Sequence, residues 1–165
     1  MPAPLLRFAT IEDAPVVARL LREMDGHYHP DGPLRTPEAY LSTVRSVIDS
    51  DEGTRFALCF LDPDEASSAA GIACVGVLRP GQALQGLVFV KDLFVRDGTR
   101  DRGVGAALMR FLARFAVESG IGRIDLTTDA ENLGARRLYE RLGAVVRPKV
   151  CYSFPTEVLR HLAEE

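Results

Sequence analysis

The sequence contains few cysteines, and their placement argues against two classes of small protein. It has three in 165 residues, namely Cys59, Cys74 and Cys151. An odd number of widely separated cysteines, each within an apolar strand-like segment, favours neither a disulfide framework nor a metal cluster. We therefore expect reduced cysteines buried in the core, and no metal site.

Long apolar runs and an excess of positive charge are also missing. No apolar run approaches the length of a membrane span, and residues 1–4 lack the basic and apolar regions of a signal peptide. The formal net charge of -3 gives no general attraction to nucleic acid or to anionic membranes. We expect a cytoplasmic protein with neither nucleic acid nor a membrane as its partner.

The composition is typical of one folded domain. Hydrophobic residues make up 47% of the chain and charged residues 26%, which is enough apolar material for a sizeable core at this length. Neither an internal repeat nor a long linker divides the sequence. We expect a single domain over residues 1–165.

Two common nucleotide-binding fingerprints are absent from a glycine-rich segment at residues 100–106. A dinucleotide fingerprint needs a third glycine at position 108, which is occupied by Leu108. A Walker loop needs four residues between its glycines, whereas a single residue separates Gly103 from Gly105. Neither fingerprint explains the segment.

The glycine-rich segment follows an apolar strand and opens a helix. Gly103 and Gly105 lie in the first helical turn, where unpaired N–H groups and the helix dipole attract an anion. Arg100 and Arg102 add positive charge beside them. The pattern predicts a phosphate-binding turn. The apolar residues that indicate the helix by their spacing are Val104, Ala107, Leu108, Phe111, Leu112 and Phe115.

Turn residues and apolar spacing predict an α+β fold. Thr10 begins a first helix and Gly26 ends it, after which helix-breaking residues form a loop at 27–33. Thr36 caps a second helix. The predicted elements are strands at 5–9, 54–61, 70–78, 87–95, 123–128, around 146 and at 150–154, and helices at 10–26, 36–50, 104–119, 132–142 and from 156.

Two linked motifs resemble the GCN5-related N-acetyltransferase (GNAT) family. The first is Leu93-Phe94-Val95 followed by the glycine-rich segment, and the second, from Asn132 through Tyr139 to Gly143, is similar to the family's N-x-x-A-x-x-x-Y-x-x-x-G pattern. The likeness is dense from about Val90 to Ala144. It implies a central mixed, mostly antiparallel sheet of about six to seven strands, flanked by helices and splayed at the central strand.

The resemblance also implies acetyl-CoA as the cofactor. The pyrophosphate would bind the turn, main-chain groups would pair with the pantetheine arm, and Tyr139 would protonate the CoA thiolate. Tyr139 shares an apolar helix face with Ala135, Leu138 and Leu142, so we expect it to point inward. Asn132 would contact the cofactor arm, cap its helix, or do both. The implied cofactor-binding residues are Phe94, Val95, Arg100, Asp101, Arg102, Gly103, Val104, Gly105, Ala106, Asn132 and Tyr139.

The general base is where the sequence departs from its relatives. Members that resemble diamine acetyltransferases carry Glu-Asp where this chain has Lys91-Asp92. The positive charge of Lys91 disfavours binding of a dicationic substrate and favours an acceptor with a carboxylate or phosphate. Asp92, on the opposite strand face from Lys91, is the first candidate base. The second is the predicted loop with His27, Tyr28 and His29, which together with Lys91 make up the expected substrate residues.

The resemblance implies an acetyl-CoA-dependent N-acetyltransferase. Acetyl would pass to a primary amine of a small molecule by direct attack in a ternary complex, with Asp92 and Tyr139 as the catalytic residues. Two alternatives remain: acetylation of a protein or peptide, and a non-catalytic acyl-CoA-binding regulatory module. The family likeness is also compatible with a homodimer.

Overall fold

The computed structural model describes residues 3–50, 52–62 and 69–164. Its strands are β1 Leu5–Phe8, β2 Thr54–Phe60, β3 Ala69–Leu78, β4 Leu87–Val95 and β5 Ile124–Leu126. Its α-helices are α1 Ala14–Tyr28, α2 Pro37–Asp49, α3 Val104–Glu118, α4 Leu133–Arg141 and α5 Thr156–Glu164, with short 3₁₀ turns at Ile11–Asp13 and Gln82–Leu84.

The strands form one sheet in the order β1-β2-β3-β4-β5. The three pairs from β1 to β4 are antiparallel, and β5 is parallel to β4. The mixed, mostly antiparallel α+β fold expected from the sequence is confirmed. Because β5 follows α3, the parallel pair is made by a helical crossover, as parallel strands require.

Helices cover both faces of the sheet and divide the core into two layers. On one face α1 and α2 bury Leu20 and Val44 against strand residues that include Phe60. On the other face α3 buries Leu108 and Leu112. The sheet supplies apolar residues to both layers, which is why β2 and β3 consist of almost continuous buried residues.

The sequence overestimates the number of strands. The described residues form five, because the segments around Val146 and at 150–154 form no strand although their residues favour one. A strand needs a hydrogen-bonded neighbour, and none lies beside these residues in the part of the chain that the structure describes. Cys151 is correspondingly exposed, contrary to expectation.

The other two cysteines are buried as expected. Cys59 and Cys74 are free thiols in β2 and β3, and burial raises the pKa of each to about 11. Both therefore remain protonated and unreactive at neutral pH.

The first helix is longer than the sequence indicates. Gly26 lies inside α1, which continues to Tyr28, and the N–H of His29 donates to the carbonyl of Asp25 over 2.8 Å. A glycine weakens a helix by only about 1 kcal/mol, less than the burial of α1 supplies. His27 and Tyr28 therefore lie on the last turn of a helix, and the prediction that they belong to a loop is wrong.

Candidate active site

A cleft opens where β4 separates from β5. The two strands pair only through Val88, Phe89 and Val90 of β4. From Lys91 to Val95, β4 has no strand on that side within the described residues. The predicted splay is confirmed, and it leaves main-chain N–H and C=O groups facing a cleft, where a ligand can satisfy them.

A β-bulge at Lys91 decides in which hydrophobic layer each side chain of β4 packs. On β3, Cys74 lies opposite Asp92 and the next residue, Val75, lies opposite Val90, so Lys91 is an additional residue in β4. The bulge reverses the alternation: Val90 packs in the α3 layer, whereas Phe94, an even number of positions later, packs in the α1 and α2 layer.

The bulge also brings the two charged residues of β4 together. The Nζ atom of Lys91 lies 2.7 Å from Oδ2 of Asp92, so the expectation that these side chains occupy opposite faces is wrong. This hydrogen bond is the main cause that raises the pKa of Lys91 and keeps it charged. The Lys91 side chain is mostly exposed, whereas that of Asp92 is largely covered.

The turn between β4 and α3 has the shape that an anion site requires. Asp101 and Gly103 both adopt left-handed conformations, with φ of 61° and 77°. The N–H groups of the first turn of α3, which follows directly, have no partner within the helix. Asp101, Arg102 and Gly103 are exposed, whereas Val104 and Gly105 are buried and Ala106 is partly covered.

The two glycines of the turn serve different purposes. A Cβ on Gly103 would meet no atom within 4 Å, so only its positive φ requires glycine. A Cβ on Gly105 would lie 3.0 Å from Cδ2 of Leu138 on α4. Gly105 therefore lets α3 pack closely against α4, a role that the sequence did not predict for it.

Arg100 joins the turn to the end of α1. Its guanidinium pairs with the carboxylate of Asp97 at 2.9 Å and lies 3.1 Å from Nε2 of His27. It also approaches the main-chain carbonyl of Val95 at 3.4 Å. The cation is therefore held at the rim of the cleft by contacts from α1, β4 and the turn.

The helix after β5 presents the two residues of the second motif. The side chain of Asn132 accepts a hydrogen bond from the N–H of Ala135 over 3.1 Å, which is a helix cap. Tyr139 lies on the inward face and is partly covered. Burial, with a smaller contribution from Tyr28, raises the pKa of Tyr139 above its usual value of 10.0.

Tyr28 lies among the predicted site residues. Burial raises its pKa, and the next cause is the negative charge of Asp92. Its ring contacts that of His27 edge-on at 5.3 Å, and His27 contacts Phe94 at 6.0 Å. The structure thus brings Tyr28, Asp92 and Tyr139 together at the cleft, whereas His29 is exposed beyond the end of α1.

A cavity beside the site was not predicted from the sequence. An open cavity of about 410 Å³ is lined by Glu23, Gly26, His27, Phe94, Arg96 and Asp97. Glu23 and Arg96 form an ion pair at 2.7 Å that links α1 to the end of β4. No local pattern signals a contact between residues 73 positions apart.

Comparison with known proteins identifies the family. The model of the acetyltransferase (GNAT) family matches residues 17–144, most of the chain. The chain belongs to the GNAT acetyltransferase family. In this GNAT protein no three His, Cys, Asp or Glu residues of the described ranges are grouped to hold a metal ion. None of its described helices combines the length and apolarity needed to cross a membrane.

Individual relatives are distant. An L-ornithine N5-acetyltransferase from Arabidopsis thaliana is 36% identical over 58 residues, which is 35% of this chain and 25% of that protein. A thialysine N-epsilon-acetyltransferase from Bos taurus is 28% identical over 80 residues, 46% of this chain and 47% of that protein. This GNAT chain thus matches only a quarter to about half of the length of these two relatives.

A solved structure supports the fold over the whole chain. An integron cassette protein from the mobile metagenome of V. cholerae superposes with a TM-score of 0.87 at 23% identity, and the alignment covers 100% of both chains. The GNAT fold described above is therefore shared from the first strand to the C-terminal segment.

Proposed function

We propose that this protein transfers an acetyl group from acetyl-CoA to a primary amine of a small molecule, by direct attack in a ternary complex. The observation that carries the proposal is the opening of β4 from β5 directly beside the first turn of α3. A strand with unsatisfied main-chain groups and a helix terminus that favours anions suit an elongated ligand with a phosphorylated end.

The residues of the turn fit the cofactor. The left-handed Gly103 has open space where a Cβ would lie, and Arg100 contacts the main chain of Val95 at the end of β4. The first-turn N–H groups of α3 and the guanidinium of Arg100 would hold the pyrophosphate, the main chain of Phe94 and Val95 would pair with the pantetheine arm, and Asn132 would contact that arm. Acetyl-CoA supplies the acetyl group as an activated thioester.

We assign the general base to Asp92. Its carboxylate lies at the bulge, in the electrostatic environment of Tyr28. Oδ2 accepts a hydrogen bond from Lys91, but a carboxylate has further lone pairs and can accept a proton from the attacking amine directly or through a water molecule. His27 suits the role less well. Arginine only donates hydrogen bonds, so Nε2 of His27, which is 3.1 Å from Arg100, already uses its lone pair as an acceptor.

We assign the general acid to Tyr139. The raised pKa keeps its phenol protonated at neutral pH, as a group that protonates a departing thiolate must be. The new bond joins the amine nitrogen to the acetyl carbon, and the carbon–sulfur bond breaks. Asp92 takes the proton of the amine, and Tyr139 gives its proton to sulfur.

We propose an amine acceptor that carries a carboxylate. Lys91 holds its charge at the mouth of the cleft, and its side chain is 69% exposed, so a substrate anion can reach it. By their names, the plant and bovine relatives acetylate ornithine and thialysine, which are amino acids. These names support an amino acid as the class of acceptor.

Release of free thiol from acetyl-CoA tests the proposal. The protein is incubated with a panel of amines that includes amino acids with side-chain amines, their decarboxylated diamines, and lysine-containing peptides. We expect turnover with members of the first group, and faster turnover with them than with the diamines. Binding of acetyl-CoA with no thiol release for any amine would favour the non-catalytic module, and failure to bind it would reject the assignment.

A further inference from the structure

Asp25 is a charged residue beside the cleft to which the proposed acetyl transfer assigns no role. It lies in the last turn of α1 and is partly covered. Because Tyr28 follows three residues later, the two side chains lie on the same side of the helix. Tyr28 is at the cleft, in the electrostatic environment of Asp92. The position of Asp25 on α1 therefore puts its carboxylate on the side of the acceptor.

Hydrogen bonds from α2 and from α1 itself hold Asp25 in place. The hydroxyl of Tyr40 on α2 donates to Oδ2 of Asp25 over 2.6 Å, and the N–H of His29 donates to its main-chain carbonyl over 2.8 Å. The bond to Asp25 is the main cause that raises the pKa of Tyr40, so the phenol remains a donor at neutral pH. A carboxylate offers about four acceptor positions, so Tyr40 leaves Asp25 able to bind a ligand.

The charges of Asp25, Lys91 and Asp92 form a set of two anions and one cation. Nζ of Lys91 lies 2.7 Å from Oδ2 of Asp92. That hydrogen bond is the main cause that raises the pKa of Lys91, and the charge of Asp25 raises it further. The cation thus interacts with both carboxylates. A diamino acid carries the complementary set, which is one carboxylate and two amines.

We propose that Asp25 binds the α-ammonium group of an amino-acid acceptor while Lys91 binds its α-carboxylate. The side-chain amine of a diamino acid is then left for Asp92, the assigned base. Hydrogen bonds between charged groups are stronger than neutral ones, so an acceptor without the α-ammonium group binds less tightly. Tyr40 is a positioning residue, because it orients Asp25. The inference rests on the proposed function, since it assigns specificity at the same acceptor site.

Glu23 and Arg96 are a second acid and base beside the cleft, at the wall of the cavity. They already bind each other through two hydrogen bonds, of 2.7 and 3.1 Å, and a zwitterion would have to break both. Lys91, by contrast, has a side chain that is 69% exposed. The geometry therefore favours Asp25 and Lys91 as the site of the head group, and Glu23→Gln tests the other location.

Calorimetric titration of the protein with CoA bound tests the inference without requiring turnover. The probes are ornithine and δ-aminovalerate, which differ only in the α-ammonium group. We expect the wild type to bind ornithine about tenfold or more tightly than δ-aminovalerate. Asp25→Asn retains an acceptor for Tyr40 but loses the charge. It should bring the Kd for ornithine to that for δ-aminovalerate, whose own Kd should not change.

Replacement of Tyr40 tests the positioning role. Tyr40→Phe should weaken ornithine binding about threefold to tenfold, because Asp25 loses the group that orients it, and should leave the Kd for δ-aminovalerate unchanged. In assays of thiol release the KM for ornithine should rise while kcat stays the same. A merely structural role would weaken both ligands alike. Asp49→Asn, at an exposed position on the same helix as Tyr40, is the control and should change neither Kd.

The outcomes separate this inference from acetyl transfer itself. Equal Kd values for the two probes in the wild type overturn the inference, as does a preference for ornithine that Asp25→Asn retains or that Glu23→Gln removes. A preference lost in Asp25→Asn, with no thiol release for any amine, supports the Asp25 site and rejects acetyl transfer. Thiol release with equal kcat/KM for both probes supports the transfer and rejects the Asp25 site. If Asp25→Asn fails to fold, Asp25→Ser replaces it, with the same outcomes.

Discussion

The guanidinium of Arg100 and the imidazole of His27 are hydrogen-bonded at 3.1 Å, across 73 positions of sequence. The contact ties the turn before α3 to the last turn of α1. A residue expected to serve the substrate therefore supports the proposed cofactor turn. His27 acts here through Arg100, whose charge it positions.

Replacement of His27 tests this support. His27→Ala should weaken CoA binding about threefold to tenfold, because Arg100 loses an acceptor that fixes its orientation. His27→Gln retains an acceptor and should recover most of the affinity. Calorimetric titration with CoA gives both values, and His29→Ala, at an exposed position, is the control. Equal affinity in all variants would show that His27 does not position Arg100.

Replacement of Tyr139 tests the assigned acid. Tyr139→Phe should lower kcat about 100-fold or more, because the departing thiolate loses its proton donor. The Kd for CoA should change little, since the ring remains. Because the pKa of Tyr139 is raised above 10.0, the wild-type rate should not fall through loss of this proton below about pH 10. The exposed Tyr152→Phe serves as control, and an equal fall in kcat there would contradict the role.

The two glycines of the turn should respond differently to alanine. Gly103→Ala places a Cβ in open space on a left-handed residue and should cost about 1–2 kcal/mol of stability from backbone strain. Gly105→Ala forces its Cβ against Leu138 and should cost about 1–3 kcal/mol by overpacking. Urea unfolding measures both.

A second substitution distinguishes these causes. Leu138→Ala removes the atom that a Cβ at position 105 would meet, so it should relieve part of the cost of Gly105→Ala. The destabilisation caused by Leu138→Ala should simply add to that of Gly103→Ala, because a Cβ at position 103 has no neighbouring atom. Additive costs in both double variants would contradict the packing role of Gly105.

Acid stability should depend on Asp13. Its buried carboxylate accepts from Arg7 at 2.8 Å and from the N–H of Thr10 at 2.8 Å, and the hydrogen bond from Arg7 is the main cause that lowers its pKa below 3.8. A lowered folded-state pKa stabilises the fold above the unfolded-state value, and this stability is lost as the pH falls through the folded-state pKa.

The measurement is urea unfolding of the wild type and Asp13→Asn between pH 7 and pH 3. We expect the variant to be less stable by about 1–3 kcal/mol at pH 7. The difference should begin to narrow near about pH 4, where the carboxylate of the unfolded state starts to protonate, and should narrow further as the pH falls toward the lower pKa of the folded state. Asp49→Asn, at an exposed position, should show neither effect. A pH-independent difference would indicate that packing, rather than charge, causes the loss.

Local signals in the sequence predicted much of the fold. The side chain of Thr36 caps α2 by accepting from the N–H of Ala39, as expected, and the hairpin of β2 and β3 is present. Asn132 begins α4 and Tyr139 points inward. Each of these features depends on residues within a few positions of one another, where spacing and side-chain chemistry suffice.

Features that depend on distant partners were missed. Glycine is a residue type that commonly ends helices, but Gly26 lies inside α1, where packing stabilises the helix. The bulge at Lys91 is set by the register of β3 against β4, which no pattern within β4 reveals. The residues at 150–154 favour a strand, yet a strand requires a neighbour that the described chain does not place beside them.

The additional residue in β4, Lys91, also means that this strand cannot lose a residue without a change in its packing. Surface loops tolerate the loss of a codon, but a strand does not when both of its faces are buried. Deletion of Lys91 would remove the bulge and restore the regular alternation of side chains between the two faces of β4. The residues after position 91 would then point to the opposite faces, so that Leu93 and Phe94 exchange hydrophobic layers. Although Lys91 is mostly exposed, its presence fixes the orientation of every later side chain in the strand.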